Sequence, residues 1–200
     1  MARALKGGTR IIGIDPGLNA TGYGVIECLA EEVRLVEAGV IRLPRCRGDN
    51  LPARLGMLFA GLQEVIIEFE PQAMCLEEVY AHRQYPQTSV LMGHARGVIC
   101  LAARLASIPV VSFSAKRVKQ SVTGNGNASK TQVQRAVQNF FSLDCVPHPP
   151  DVADALAVAM CFVDTRRASA NGWPSRGRGS SRRARLAPAA WGHTKGWAGL

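Results

Sequence analysis

The sequence has no uninterrupted run of 18 or more apolar residues, so no membrane-spanning helix is expected. Its first ten residues, MARALKGGTR, lack the apolar stretch of a secretory signal, and the chain is therefore expected to work in the cytoplasm. Cys28, Cys46, Cys75, Cys100, Cys145 and Cys161 form no C-x-x-C pair. Their scatter argues against both a disulfide framework and a zinc site, and in favour of buried, reduced thiols. No internal repeat is visible, and 200 residues suit one domain with an appendage.

The most informative absence is of acid. Between Val79 and Leu143 there are eight Lys and Arg and no Asp or Glu, and the same count recurs from Arg166 to the end. Met1 to Glu78 instead holds 11 acidic against 8 basic residues, and Asp144 to Thr165 holds 4 acidic and no basic ones, within a net charge of +9. Two separate basic blocks point to a polyanionic partner, of which nucleic acid is the commonest.

What is present is a soluble globular composition, 47% hydrophobic, with mean hydropathy near zero. Arg10 to Ile14, Tyr23 to Cys28 and Val33 to Leu43 have strand character, with glycines at 22 and 24 and the polar pair Glu31-Glu32 between them. Short turns joining three strands predict an antiparallel meander. The period then becomes helical through Leu55, Leu58, Phe59, Leu62, Val65, Ile66 and Phe69, with Asp49 or Asn50 as cap and Pro52 in the first turn. Pro71 ends that helix, and Ala73 to Leu76 forms a buried strand ending in Glu77-Glu78. Ser89 to Ala106 reads as a long helix and Pro109 to Phe113 as a strand. Ser114 caps a short helix holding Lys116, Arg117 and Lys119, and a further helix runs from about Ser129 to Phe141. The order is βββαβαβα, an α/β arrangement with a mixed sheet flanked by helices. Past Arg167 the chain is rich in Gly, Ser, Ala and Arg, interleaved with Trp173, Trp191 and Trp197, and is expected to be disordered. The expected organisation is thus an extension over 1–9, a folded domain over 10–165 and a basic tail over 166–200.

Residues 149–160, PPDVADALAVAM, pose a specific problem. So apolar a helix calls for burial nearly all round, yet its first turn carries Asp151 and Asp154, three apart and hence on one face. A helix N-terminus favours acids, so capping by Asp151 is one explanation. Further acids stand at strand ends: Asp15 in Asp15-Pro16-Gly17, which also suits a plain turn, and Glu77 or Glu78. Strand ends beside a helix N-terminus are where clefts form in α/β sheets, and carboxylates gathered there need cations. Magnesium suits hard oxygen donors and is commonly completed by substrate phosphates. Two such ions can activate water and stabilise a leaving oxygen in phosphodiester cleavage. Cys75 and His148 are too few for zinc, and a proline-flanked His148 reads as incidental. His94, among Gly93, Ala95 and Gly97, reads as a helix-packing residue.

The segments GIDPGLNATGYGVIE, CLEEVY, GHARGV, AKRVKQSVTGNGNASKTQVQ and PPDVADALAVA, in this order, resemble the RuvC family of crossover (Holliday) junction endodeoxyribonucleases from about Arg10 to Asp164. The resemblance implies an RNase H-like fold with a five-stranded mixed sheet, three antiparallel strands followed by parallel ones. It also implies a homodimer and Mg2+-dependent, symmetric nicking of two like-polarity strands of a four-way DNA junction in recombination and repair. Two metal ions per site are implied, with Mn2+ as a substitute, and a branch-migration complex of RuvA and RuvB as partner. The family's acidic tetrad falls on Asp15, Glu77, Asp151 and Asp154, which selects Glu77 over Glu78 as ligand. Tyr80 falls on an aromatic position that contacts unstacked bases, and Lys119 and Lys130 on basic positions near the scissile phosphate. Lys116, Arg117, Arg83 and Arg96 are further candidates for phosphate contact, although Arg96 equally suits a purely structural place on its helix.

Two other classes share part of this pattern. An actin-like or sugar-kinase-like ATPase also opens with a strand and an Asp-x-Gly turn, but needs a second such turn and a longer chain. A DNA-binding module without catalysis would have no use for an intact tetrad.

Overall fold

The computed structural model describes residues 8–17, 19–29, 32–43, 50–78 and 86–171. Within them, β1 (Thr9–Asp15), β2 (Ala20–Cys28) and β3 (Val33–Arg42) form the antiparallel meander. Helix α1 (Leu51–Phe69) leads to β4 (Ala73–Glu77), which lies parallel to β1, and α2 (Pro86–Leu105) leads to β5 (Val110–Phe113), parallel to β4. Three helices follow in succession, α3 (Ala115–Thr123), α4 (Lys130–Phe141) and α5 (Pro150–Asn171), so the order is βββαβαβααα. The strands stand in the order β3-β2-β1-β4-β5, the mixed five-stranded sheet of an RNase H-like fold.

Local chemistry sets the boundaries. The Asn50 side chain accepts from the Ala53 amide at 2.9 Å, which identifies it as the α1 cap, while Asp49 lies outside the described residues. Glu70 closes α1 in the left-handed region, followed by Pro71. Ser114 caps α3, Gly124 ends it at φ 79°, and Ser129 with Gln132 forms a reciprocal capping box on α4.

Side-chain alternation splits the core into two layers. Ile11, Ala73 and Cys75 face α3, α4 and α5, whereas Ile12, Ile14, Met74 and Leu76 face α1 and α2. Helix α5 is buried from Val152 to Val163 apart from Asp154, as its composition predicts. It lies unusually close to the sheet: a Cβ on Gly13 would stand 2.1 Å from the Ala155 carbonyl oxygen, and one on Gly22 2.2 Å from that of Asp151. Glycine in a strand commonly marks such a backbone approach. Gly22 therefore belongs inside β2, which starts at Ala20 and not at Tyr23 as the sequence suggested.

Two further expectations are corrected, for the start of the tail and for the burial of the cysteines. Residues 166–171, assigned to the tail, continue α5, where the Arg166 guanidinium lies 5.3 Å over the Phe162 ring and supports the extra turn. His94 is exposed, and added Cβ atoms on Gly93 and Gly97 would meet nothing within 4 Å, so the packing expected of this face of α2 is not made within the described residues of one chain. The described cysteines are free, as expected, but Cys145 is exposed and Cys100 only half-buried; Cys46 lies outside the described residues.

Candidate active site

Asp15 is the last residue of β1 and Glu77 the last of β4, and these neighbouring strands run parallel with Ile14 opposite Leu76. Alternation places Asp15 on the side of Ile11 and Gly13, and Glu77 on the side of Ala73 and Cys75, so both turn towards α5. Across the antiparallel pair Asp15 faces Gly22, and the backbone of Asp151 rests against that glycine. Strand ends and helix start are thereby locked into one corner. Helix α5 begins at Pro150, which puts Asp151 inside the first turn instead of at the cap.

The electrostatics follow from this crowding. Burial, then Asp154, Asp151 and Glu77, raise the Asp15 carboxyl to about 8, with Lys130 opposing them. Glu77 is also raised, chiefly by burial and then by Asp154, while Lys119 and Lys130 pull it back. Lys130 Nζ meets Asp154 Oδ2 at 2.9 Å, and this bond helps to hold the lysine in its charged form. The structure thus gathers six of the residues singled out in the sequence: Asp15, Glu77, Asp151, Asp154, Lys119 and Lys130. Among the described residues no three Asp, Glu, His or Cys side chains stand closely enough to form a ready-made metal cage. What the acids share is one electrostatic field, with Asp154 engaged by an ammonium group.

The remaining candidates lie elsewhere. Arg117 bonds Thr165 Oγ1 at 3.5 Å, beside the later part of α5, and Lys116 packs its stem against Gly126. Neither is among the charges acting on Asp15 or Glu77. His148 is exposed and likewise absent from those fields. Tyr80 and Arg83 lie outside the described residues, as do Glu31 and the three tail tryptophans.

Two residues escaped sequence reasoning. Thr21 is fully buried; its hydroxyl donates to the Gly17 carbonyl at 2.7 Å and accepts from the Gly17 amide at 3.2 Å, fixing the turn that follows Asp15. Arg96 suits either a phosphate contact or a purely structural place on its helix, but its partner is not visible in sequence: it turns inward and bonds the Glu77 carbonyl. A threonine four residues beyond a Pro-Gly turn is a usable signal for the first; the second needs the third dimension.

Fold and site together define an RNase H-like domain whose sheet and last helix gather carboxylates flanked by lysines. The family model for crossover junction endodeoxyribonuclease RuvC matches residues 11–162, and the chain belongs to that family. It is 50% identical over 151 residues to the crossover junction endodeoxyribonuclease RuvC of Rhodopirellula baltica, covering 76% of this chain and 84% of that one. To the RuvC of Azoarcus sp. (strain BH72) it is 45% identical over 155 residues, covering 78% and 82%. Among solved structures, Thermus thermophilus RuvC in complex with Holliday junction substrate superposes with a TM-score of 0.73 at 31% identity, covering 80% of this chain and 96% of that one.

Proposed function

We propose that this chain is a divalent-metal-dependent endonuclease that resolves four-way DNA junctions by symmetric nicking of two strands of like polarity. The observation that carries the reading is the convergence of Asp15, Glu77, Asp151 and Asp154 with Lys119 and Lys130. The Thermus thermophilus relative, solved with a Holliday junction, supports the choice of substrate.

The donor set fits a divalent cation. It consists of hard carboxylate oxygens, and burial together with three neighbouring acids opposes the negative charge on Asp15. Asp15, Glu77, Asp151 and Asp154 would hold the metal, Mg2+ by preference and Mn2+ as substitute, two ions in the full complement. When bound, the ions supply activation of water and stabilisation of the leaving oxygen. Lys119 and Lys130 border the acids and offer ammonium groups to the phosphate being cut. Lys116 and Arg117, on exposed positions of α3, extend the contact along the backbone. Tyr80 is assigned to the unpaired bases at the crossover and Arg83 to the phosphate backbone.

Two symmetric nicks call for two sites, and a homodimer provides them. The outward face of α2, with Val90 61%, Leu101 52% and Leu105 62% exposed beside Gly93 and Gly97, suits a second copy. Recombination and repair in the cytoplasm, together with RuvA and RuvB, complete the proposal. No helix among the described residues is long and apolar enough to cross a membrane.

The test uses a synthetic mobile junction, labelled on each strand, with Mg2+ or with chelator. Symmetric nicks that vanish on chelation, and an Asp15→Asn protein that binds the junction without cutting it, are expected. Cutting by Asp15→Asn at the parental rate would overturn the assignment of the acids.

A further inference from the structure

Arg96 sits within α2 beside the fully buried Ala95, and its guanidinium is directed at the sheet. Nη1 donates to the backbone carbonyl of Glu77 at 2.7 Å, and Nη2 donates to Ser112 Oγ at 2.5 Å. Ser112 lies opposite Leu76 on the neighbouring strand, so one planar group spans the ends of β4 and β5. At this level the β1 ladder has run out: its last pairing with β4 is Ile14 with Leu76, one residue before Glu77. A strand-end carbonyl that lacks a ladder partner is satisfied here by a charged donor, which makes a stronger bond than a neutral one.

We propose that Arg96 is the positioning residue for Glu77: by clamping the Glu77 carbonyl against Ser112, it fixes where the carboxylate enters the acidic site. The inference rests on the reading of that site as the nuclease centre, but its physical content is local. The amide of Glu78, next in the chain, donates to the Phe113 carbonyl at 2.8 Å, so β4 is pinned on both sides of the Glu77 carbonyl. Removing the guanidinium releases one of those pins. Lysine preserves the charge but offers a compact ammonium that cannot reproduce the planar fork, so Arg96→Lys separates geometry from charge. Ser112→Ala removes one limb of the fork while leaving Arg96 in place.

Three measurements on the full chain test the proposal: single-turnover nicking of the junction, junction affinity without divalent metal, and amide exchange of Glu78 followed by NMR on the protein alone. In Arg96→Lys, nicking is expected to slow by about 10- to 100-fold, the usual loss when a group supporting an active-site ligand is removed. Junction affinity stays within about twofold, since the charge is retained. Exchange at Glu78 accelerates while amides in α5 keep their protection, and Ser112→Ala shows the same pattern with a smaller loss of rate. Unchanged nicking together with unchanged Glu78 exchange in Arg96→Lys overturns the proposal. So does weakened junction binding at an unchanged rate, which makes Arg96 a phosphate contact. If the parental protein proves unable to nick a junction, but Arg96→Lys still frees the Glu78 amide, the nuclease reading falls while the clamp stands.

Discussion

Replacing Gly22 by alanine tests whether the acidic site depends on close contact between helix and sheet. An added Cβ would lie 2.2 Å from the carbonyl oxygen of Asp151, 2.5 Å from its carbonyl carbon and 3.0 Å from its Cβ. These are atoms of the helix itself, so no rotamer change relieves them. Reaching ordinary contact moves the start of α5, and Asp151 with it, by roughly 1 Å, a displacement that can lower a reaction rate on the order of 100-fold. Overpacking of this kind costs about 1–3 kcal/mol, or roughly 2–12 °C in Tm for a domain of this size. Gly24→Ala is the matched control. Its Cβ would stand 2.5 Å from Leu156 Cδ2 and 2.7 Å from Cγ, side-chain atoms of a buried leucine, while the nearest backbone atom lies 3.4 Å away. Both variants should melt earlier, but at a temperature where both are folded only Gly22→Ala should lose nicking by about two orders of magnitude. Single-turnover cleavage paired with thermal melts measures both effects. Parental cleavage by Gly22→Ala, or losses in the two variants that simply follow their Tm, would refute the reasoning.

Three other outcomes follow from the charges and from the end of the fold. Asp15 is raised from the usual carboxylate range to about 8, so between those values the folded, metal-free protein holds a proton that the unfolded chain releases. Stability from this group is therefore complete at low pH and declines as pH rises to about 8; melts between pH 5 and 8 should show the decline, and Asp15→Asn should flatten it. Lys130→Met breaks a 2.9 Å pair whose lysine is 57% exposed, so unfolding in urea should change by no more than about 1 kcal/mol while nicking falls sharply. Equal loss of stability and activity would mean that Lys130 is a structural residue. Deleting the chain after Asn171, where α5 ends, should leave metal-dependent nicking intact, and complete loss in the junction assay would reassign the basic tail to the reaction.

Much of this architecture was legible because it rests on local chemistry. Asn50, Ser114 and Ser129 cap helices through bonds to amides three residues away, and such spacing is visible in any sequence. The acids were legible as strand-end and helix-start charges, but pairwise choices were not. Alternation says that Glu77 and Glu78 face opposite ways; which way matters depends on the side of β4 that α5 covers, and that is settled by packing distant in sequence. Arg96 illustrates the same limit. Its charge suggested a phosphate, whereas the carbonyl it meets belongs to a residue 19 positions earlier. Gly22 fell outside the expected strand because nothing local shows that the backbone of Asp151, far along the sequence, rests on it. The extra turn of α5 was hidden by composition, since arginine, serine and alanine are compatible with both a tail and a helix.

The burial of α5 also determines how the site can fail. This helix is buried from Val152 to Val163 apart from Asp154, so releasing its first turn lifts residues out of the same core that holds β1 and β2 together. Asp151 and Asp154 are therefore tied to that core: loosening the helix start also loosens the packing behind β1 and β2. For a nuclease, such coupling makes loss of the fold and loss of the cutting centre a single event.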